Sequence, residues 1–197
     1  MKKIILTVAA VFAFGFANAQ DKKESKGSGF SEGSIFVSGA FGISSSSQDE
    51  DKSTSFEIEP KVGFFVTPNI ALGAKLGYES YKAEDAFGDT DDENTLSIGV
   101  FGRYYATPSN QFSIFGQLGF DYMSTNDKMS EVKTNGFGLA FKPGISYFVS
   151  DAFAIEATFG ELSYTSVKDD TDGAEAKNTF SLGLDLRSIN FGLLYKF

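Results

Sequence analysis

Residues 112–122 read Phe112-Ser113-Ile114-Phe115-Gly116-Gln117-Leu118-Gly119-Phe120-Asp121-Tyr122. The even positions carry Phe, Ile, Gly, Leu, Phe and Tyr, and the odd positions carry Ser, Phe, Gln, Gly and Asp. A period of two marks a β-strand with two unlike faces. One face here is apolar and built mostly of large side chains; the other is polar and partly built of small ones. The run also reaches the roughly ten residues that a strand tilted by about 45° needs to cross a hydrocarbon layer.

Working outward, the same alternation recurs at 34–43, 56–66, 70–79, 96–105, 136–147, 153–160 and 180–197. The apolar parity holds Ile35, Val37, Phe41 and Ile43 in the first segment and Leu96, Ile98, Val100 and Tyr104 in the fourth. The last segment opens with Phe180, Leu182, Leu184 and Leu186 on one parity and continues with Ile189, Phe191, Leu193, Tyr195 and Phe197 on the other. That change predicts either a one-residue bulge near Arg187-Ser188 or a first half that projects beyond the membrane. Charge keeps to the polar parity throughout. Glu161 is the one borderline case, placed where the seventh strand is expected to leave the apolar zone.

Spacing adds an independent signal. The segments start near 34, 55, 70, 95, 111, 135, 153 and 180, so the intervals are 21, 15, 25, 16, 24, 18 and 27. Long and short links therefore alternate. The short ones are turn-formers such as Thr67-Pro68-Asn69 and Thr107-Pro108-Ser109-Asn110, and the long ones, 45–54, 82–94, 124–134 and 166–178, are polar and charged. A transmembrane barrel joins its strands in this way, with short turns on one side and longer loops on the other. A secreted soluble sandwich would have no reason to, nor to crowd Gly, Ala and Ser onto its wet face. The expected fold is an all-β, eight-stranded antiparallel up-and-down transmembrane β-barrel spanning residues 33–197, with both termini at the short-turn end. Aromatic residues also gather at the strand ends, in the manner of two interfacial girdles: Phe64, Tyr104, Phe112, Tyr147, Phe153 and Tyr195 on the turn side, and Phe41, Phe56, Tyr78, Tyr122, Phe137 and Phe180 on the loop side.

Composition narrows the functional classes. The 197 residues include no Cys, His or Trp, which removes disulfides, thiolate and imidazole metal sites and every His-dependent triad. The net charge of −9 argues against a nucleic-acid partner. The mean hydropathy of −0.11 resembles that of an ordinary soluble protein, because it averages an apolar face with a polar one.

The chain opens with Met1-Lys2-Lys3, an apolar run to Ala17, and Ala17-Asn18-Ala19. These are the three parts of a secretory signal peptide, with cleavage expected after Ala19. The apolar run is too short for a spanning helix. Residues 20–32 (QDKKESKGSGFSE) read as a flexible leader.

The chain finishes Asn190-Phe191-Gly192-Leu193-Leu194-Tyr195-Lys196-Phe197. Phe191, Leu193, Tyr195 and the terminal Phe197 look like the assembly signal read by the outer-membrane insertion machinery. With the signal peptide and eight strands, the chain resembles the small outer-membrane β-barrel family, the porin-like superfamily that includes OmpA-type and OmpX-type barrels. The resemblance implies an integral place in the bacterial outer membrane, with membrane lipid and the insertion machinery as partners, and it carries over no catalytic residue. The chain ends at the barrel, so the peptidoglycan-binding domain of full OmpA-type proteins is expected to be absent. Enzymatic barrels of this kind use a catalytic His that this chain lacks, so no enzymatic activity and no cofactor are expected.

An eight-stranded interior is about wide enough to be filled by its own side chains. The inward set holds Glu57, Glu59, Glu79, Asp121 and Glu156 opposite Lys61, Lys75, Arg103 and Lys142, and is expected to form a salt-bridged plug. A narrow channel for ions or small solutes is the alternative. The long loops carry 15 of the 26 acids, including Asp169-Asp170-Thr171-Asp172-Gly173, which lacks the spacing and terminal Glu of a calcium loop. They are expected to be a solvated fringe, and the place where any surface ligand would bind. The expected role is structural or surface-interacting. Amino-terminal sequencing of the protein from purified outer membranes should begin at Gln20; a start at Met1 would refute the cleavage site.

Overall fold

The computed structural model describes residues 28–184 and 189–197. The proposed signal peptide, most of the leader and the parity change near Arg187-Ser188 therefore lie outside the described residues. Ten strands are present: β1 Ile35–Gln48, β2 Asp51–Phe65, β3 Ile70–Asp85, β4 Gly88–Tyr105, β5 Phe112–Asp127, β6 Lys133–Phe148, β7 Phe153–Phe159, β8 Glu161–Asp169, β9 Lys177–Gly183 and β10 Ile189–Lys196. They make eight staves. The seventh is β7 continued by β8, and the eighth is β9 followed by β10. Each stave pairs antiparallel with the next, and β10 returns to β1, with Phe36 opposite Lys196 and Gly39 opposite Leu193. The result is a closed, all-β, eight-stranded barrel.

The parities fall as expected. Ile98, Val100, Ile114, Leu118, Phe120 and Leu139 stand on the outside and are exposed, as residues facing lipid must be. Phe36, Phe65, Phe101, Phe115 and Phe148 point inward and are buried. Space for these rings comes from glycine. A Cβ on Gly63 would run into the ring of Phe36, and one on Gly144 into that of Phe115. Gly in the lumen is thus what allows a narrow barrel to hold aromatic side chains.

The long links differ from expectation. Strand pairing continues through most of the segments read as loops, so the connections shrink to hairpin turns at 49–50 and 86–87 and to short loops at 128–132 and 170–176. At the first turn Asp49 takes a left-handed φ of 53°, and at the second Asp85 accepts the Phe87 N–H at 2.7 Å. Above the membrane both faces of a strand are wet, so no apolar alternation marks these extensions in the sequence. Ser44–Ser47, Thr95 and Thr125 pair there instead, and Asp92 on β4 receives both Lys82 from β3 (3.1 Å) and Lys128. The hydrogen bond from Lys128, reinforced by Lys82, holds the Asp92 carboxyl below the usual carboxylate range.

The upper edge of the apolar belt has a repeated marker. The hydroxyl of Tyr78 is hydrogen-bonded to the Asn94 side-chain amide (3.1 Å), and those of Tyr122 and Tyr164 donate to Asn135 (3.2 Å) and Asn178 (2.9 Å). Each pair joins the two strands of a hairpin on the outer face, with the ring on the apolar side and the polar tip on the wet side. The leader also departs from expectation. Phe30, placed by its polar neighbours in a flexible segment, is buried inside the short-turn end and belongs to the packed interior.

Leu118→Arg puts a charge on the lipid face near mid-depth. It should lower unfolding stability in liposomes by about 2–4 kcal/mol, measured by urea titration, whereas an unchanged midpoint would place Leu118 away from lipid.

Candidate functional site

The barrel interior holds the chemistry, in three layers. At the short-turn end the floor is aromatic. The Phe30 ring stacks on Phe65 (centroids 4.5 Å apart, planes 26° from parallel) and meets Phe148 edge-on at 4.9 Å, Tyr105 at 5.1 Å and Phe36 at 5.6 Å. Its backbone is also fixed, because the Phe30 N–H donates to the Pro108 carbonyl (2.6 Å) and the Lys196 ammonium donates to the Gly29 carbonyl (2.6 Å). Gly29 has φ +115°, and a Cβ there would lie 2.5 Å from the Ser109 backbone, so only glycine allows this entry.

The second layer is Arg103, projecting from β4 and almost fully buried. Its guanidinium donates to Glu156 Oε1 (2.5 Å), to the Tyr105 hydroxyl (2.7 Å) and twice to Gln117 Oε1 (2.8 and 3.1 Å). The Tyr105 hydroxyl donates in turn to Glu156 Oε1 (3.3 Å). Phe115 lies 4.2 Å from the guanidinium carbon, with Phe36 and Phe101 near 5.5 Å. A planar cation tolerates this position because it stacks on rings and hydrogen-bonds in its own plane. The layer links β4, β5 and β7 across the lumen.

The third layer is an ion-pair network around a cavity of about 300 Å³. Lys61 pairs with Glu59 at 2.8 Å, while Lys75 pairs with Asp121 at 2.7 Å and with Glu59 at 3.5 Å. Lys142 reaches none of the five acids expected on the inner face but Glu161, at 2.8 Å. The cause is a bulge. Gly160 takes φ +78° between β7 and β8, which shifts the parity so that Leu162 and Tyr164 face outward and Glu161 enters the lumen. Glu161 therefore is not a strand leaving the apolar zone, and the apolar residues at even positions 162 and 164 were the signal for it.

Of the nine inward charges singled out in the sequence, seven take part in ion pairs. Glu57 and Glu79 do not. They face each other directly in the β2–β3 register, and among the described residues neither has an ion-pair partner. Gln117 and Tyr105 complete the Arg103 layer and had no distinguishing sequence signal beyond their parity. Phe30 had one, as the sole aromatic residue in a polar leader. The outward residues of the closing strand form a ring ladder, with Tyr195 edge-on to both Phe153 and Phe197 at 4.8 Å. No group of His, Cys, Asp and Glu side chains among the described residues could hold a metal ion. No described helix is long and apolar enough to cross a membrane; the chain crosses with strands.

A closed barrel with an apolar outer belt and a polar, packed interior is an integral outer-membrane protein by architecture. The outer membrane protein beta-barrel domain family matches residues 6–197, and the chain belongs to that family, whose place is the bacterial outer membrane. No curated protein sequence matches it. Among solved structures it is similar to the outer membrane protein OprG from Pseudomonas aeruginosa, at 15% identity and a TM-score of 0.54, covering 86% of this chain and 98% of that one. Neisserial surface protein A is similar at 16% identity and a TM-score of 0.46, over 84% of this chain and 100% of that one. Ail, the attachment invasion locus protein of Yersinia pestis, is similar at 14% identity and 0.45, over 84% and 99%. At such identities the likeness is one of fold.

Glu156→Ala would strand the buried Arg103 charge and should cost about 3–5 kcal/mol of stability. Urea unfolding in liposomes checks this, and a loss under about 1 kcal/mol would mean that water already solvates the pair.

Proposed function

We propose that this protein is a structural, surface-interacting outer-membrane barrel whose lumen is sealed by its own side chains. The observation that carries the reading is the succession of two packed layers at the short-turn end, the Phe30 floor and, next to it, the Arg103–Glu156–Gln117 layer. An ion passing through would have to displace a buried aromatic cluster and a buried ion pair together, and close packing resists that.

With the interior given over to stability, the faces left for function are the outer belt and the hairpins above it. The hairpins carry most of the acidic residues and hold them on paired strands, so a surface ligand of positive charge is the partner class they suit. The absence of His leaves no ordinary general acid–base group near neutral pH, in keeping with a non-enzymatic role. The signal peptide ending at Ala19 would deliver the chain to the periplasm. Phe191, Leu193, Tyr195 and Phe197 would then present the closing strand to the insertion machinery.

Purified, refolded protein in planar lipid bilayers should show no stable unitary conductance. Sustained single-channel steps from the folded, heat-modifiable form would replace this reading with that of a narrow channel.

A further inference from the structure

The wall is not equally closed all round. β10 pairs with β7 along Ile189–Tyr195, but with β1 only where Phe36–Gly39 meets Leu193–Lys196. β1 continues past Gly39 with β2 on one side and, among the described residues, no ladder partner on the other. The register carries Phe41 opposite Ile58 and Ile58 opposite Tyr78, so the gap begins level with the Tyr78–Asn94 marker, at the outer-leaflet edge of the belt.

Three features coincide there. The 300 Å³ cavity runs to the gap and is lined on one side by Gly39–Gly42 and on the other by 189–192. Three of the inward positions at its mouth are small, Ala40, Gly42 and Gly192, with Asn190 the polar fourth, whereas the outward ones, Phe41 and Phe191, are large and among the most exposed apolar residues of the belt. Behind the mouth the charges are not all paired. The inner-face acids are Glu57, Glu59, Glu79, Asp121, Glu156 and Glu161, and the bases are Lys61, Lys75, Arg103 and Lys142, each already paired with a carboxylate, with Lys196 engaged at the floor by the Gly29 carbonyl. The acids without an ion-pair partner among the described residues are Glu57 and Glu79, and Glu57 lines the cavity.

We propose that the gap between β1 and β10 is a lateral binding slot for a single-chain amphiphile with a cationic head. The ammonium head sits in the cavity against Glu57, and the alkyl chain leaves between the strands to lie along Phe41 and Phe191. An ammonium group supplies the counter-charge that Glu57 has no ion-pair partner for, and the chain occupies a wall position that would otherwise leave backbone groups unpaired beside lipid. An anionic head would meet bases that are already engaged and two carboxylates that are not.

The test uses the full mature chain in phosphatidylcholine nanodiscs with a photoreactive dodecylammonium probe, read by mapping the labelled peptides. Labelling should saturate, concentrate on residues 39–43 and 189–193, and be competed by dodecylammonium but not by dodecyl sulfate or dodecyl maltoside. Glu57→Gln should reduce it by about tenfold. A second variant guards against misfolding: Gly42→Cys with Asn190→Cys in this cysteine-free chain. These positions would face each other if the β1–β10 register continued, and oxidation would draw the strands together. The oxidised form should lose labelling and the reduced form should keep it, both with the gel mobility shift of a folded barrel. Labelling spread evenly round the belt, equal competition by the sulfate, or undiminished labelling of Glu57→Gln or of the oxidised pair would each overturn the proposal. None of these outcomes depends on whether the lumen conducts.

Discussion

Hydrocarbon offers no hydrogen bonds, so each backbone N–H and C=O at membrane depth must find its partner within the protein. That demand dictates the rest of this structure. It forces the eight staves to close, with β10 brought back to β1 across the whole length of the chain. Closure at eight fixes a lumen so narrow that the inward positions must be filled side chain by side chain. The lipid outside then requires the opposite parity to be apolar. One constraint thus sets the period-two alternation, the large residues on the outer face and the mixture of glycine and bulky rings on the inner one.

Filling the lumen raises a second problem, because the inner face is polar and charges confined there are costly unless paired. The molecule separates the two demands by height. The short-turn end is packed with aromatic rings, and the cations admitted among them are Lys196, held by the Gly29 carbonyl, and Arg103, whose guanidinium can be hydrogen-bonded in its plane and stacked on its faces. The other inward lysines stand higher, where Lys61 and Lys142 border the cavity and Lys75 lies beside Asp121, and each meets a carboxylate. Phe30 belongs to this division as well. The strands alone leave the aromatic floor one ring short, and the segment before β1 folds back to supply it.

The staves and their inward and outward faces were legible in the sequence because lipid and lumen impose opposite chemistry on successive residues. Where that contrast stops, legibility stops too. The hairpin extensions beyond Tyr78, Tyr122 and Tyr164 are wet on both sides, so residues such as Ser44–Ser47 carry no alternation and read as loop although they pair as strand. Glu161 was misplaced because one glycine with positive φ shifts the parity, and a shift shows only when Leu162 and Tyr164 beyond it are read as part of the same stave. Phe30 contacts Pro108 and Phe148, partners far away in sequence, and local periodicity holds no information about such contacts. The inward charges were identifiable by parity, but their pairings were not. Which base reaches which acid depends on height and stagger across staves, and this is how Lys142 meets Glu161 while Glu57 faces Glu79.

The closing contact is where backbone closure is least complete. Every other neighbouring pair is joined by a hairpin or a short turn that fixes register locally, whereas β1 and β10 meet with no such connection and share only a short ladder. The bulky inward residues lie below this point, at Phe36 and Leu194, and above it the inner faces carry Ala40, Gly42 and Gly192, with Asn190 the one larger side chain. Small residues there leave the two strands without side-chain packing to draw them together, so the same substitutions that open the cavity also weaken the seam beside it. The uncompensated carboxylates add to this, because a charge with no partner in the wall keeps its surroundings hydrated or occupied rather than sealed. Weak pairing, small side chains and unpaired carboxylates are therefore linked: each makes the others tolerable, and together they set the seam apart from the short-turn half of the same lumen, where stacked rings surround a fully hydrogen-bonded arginine.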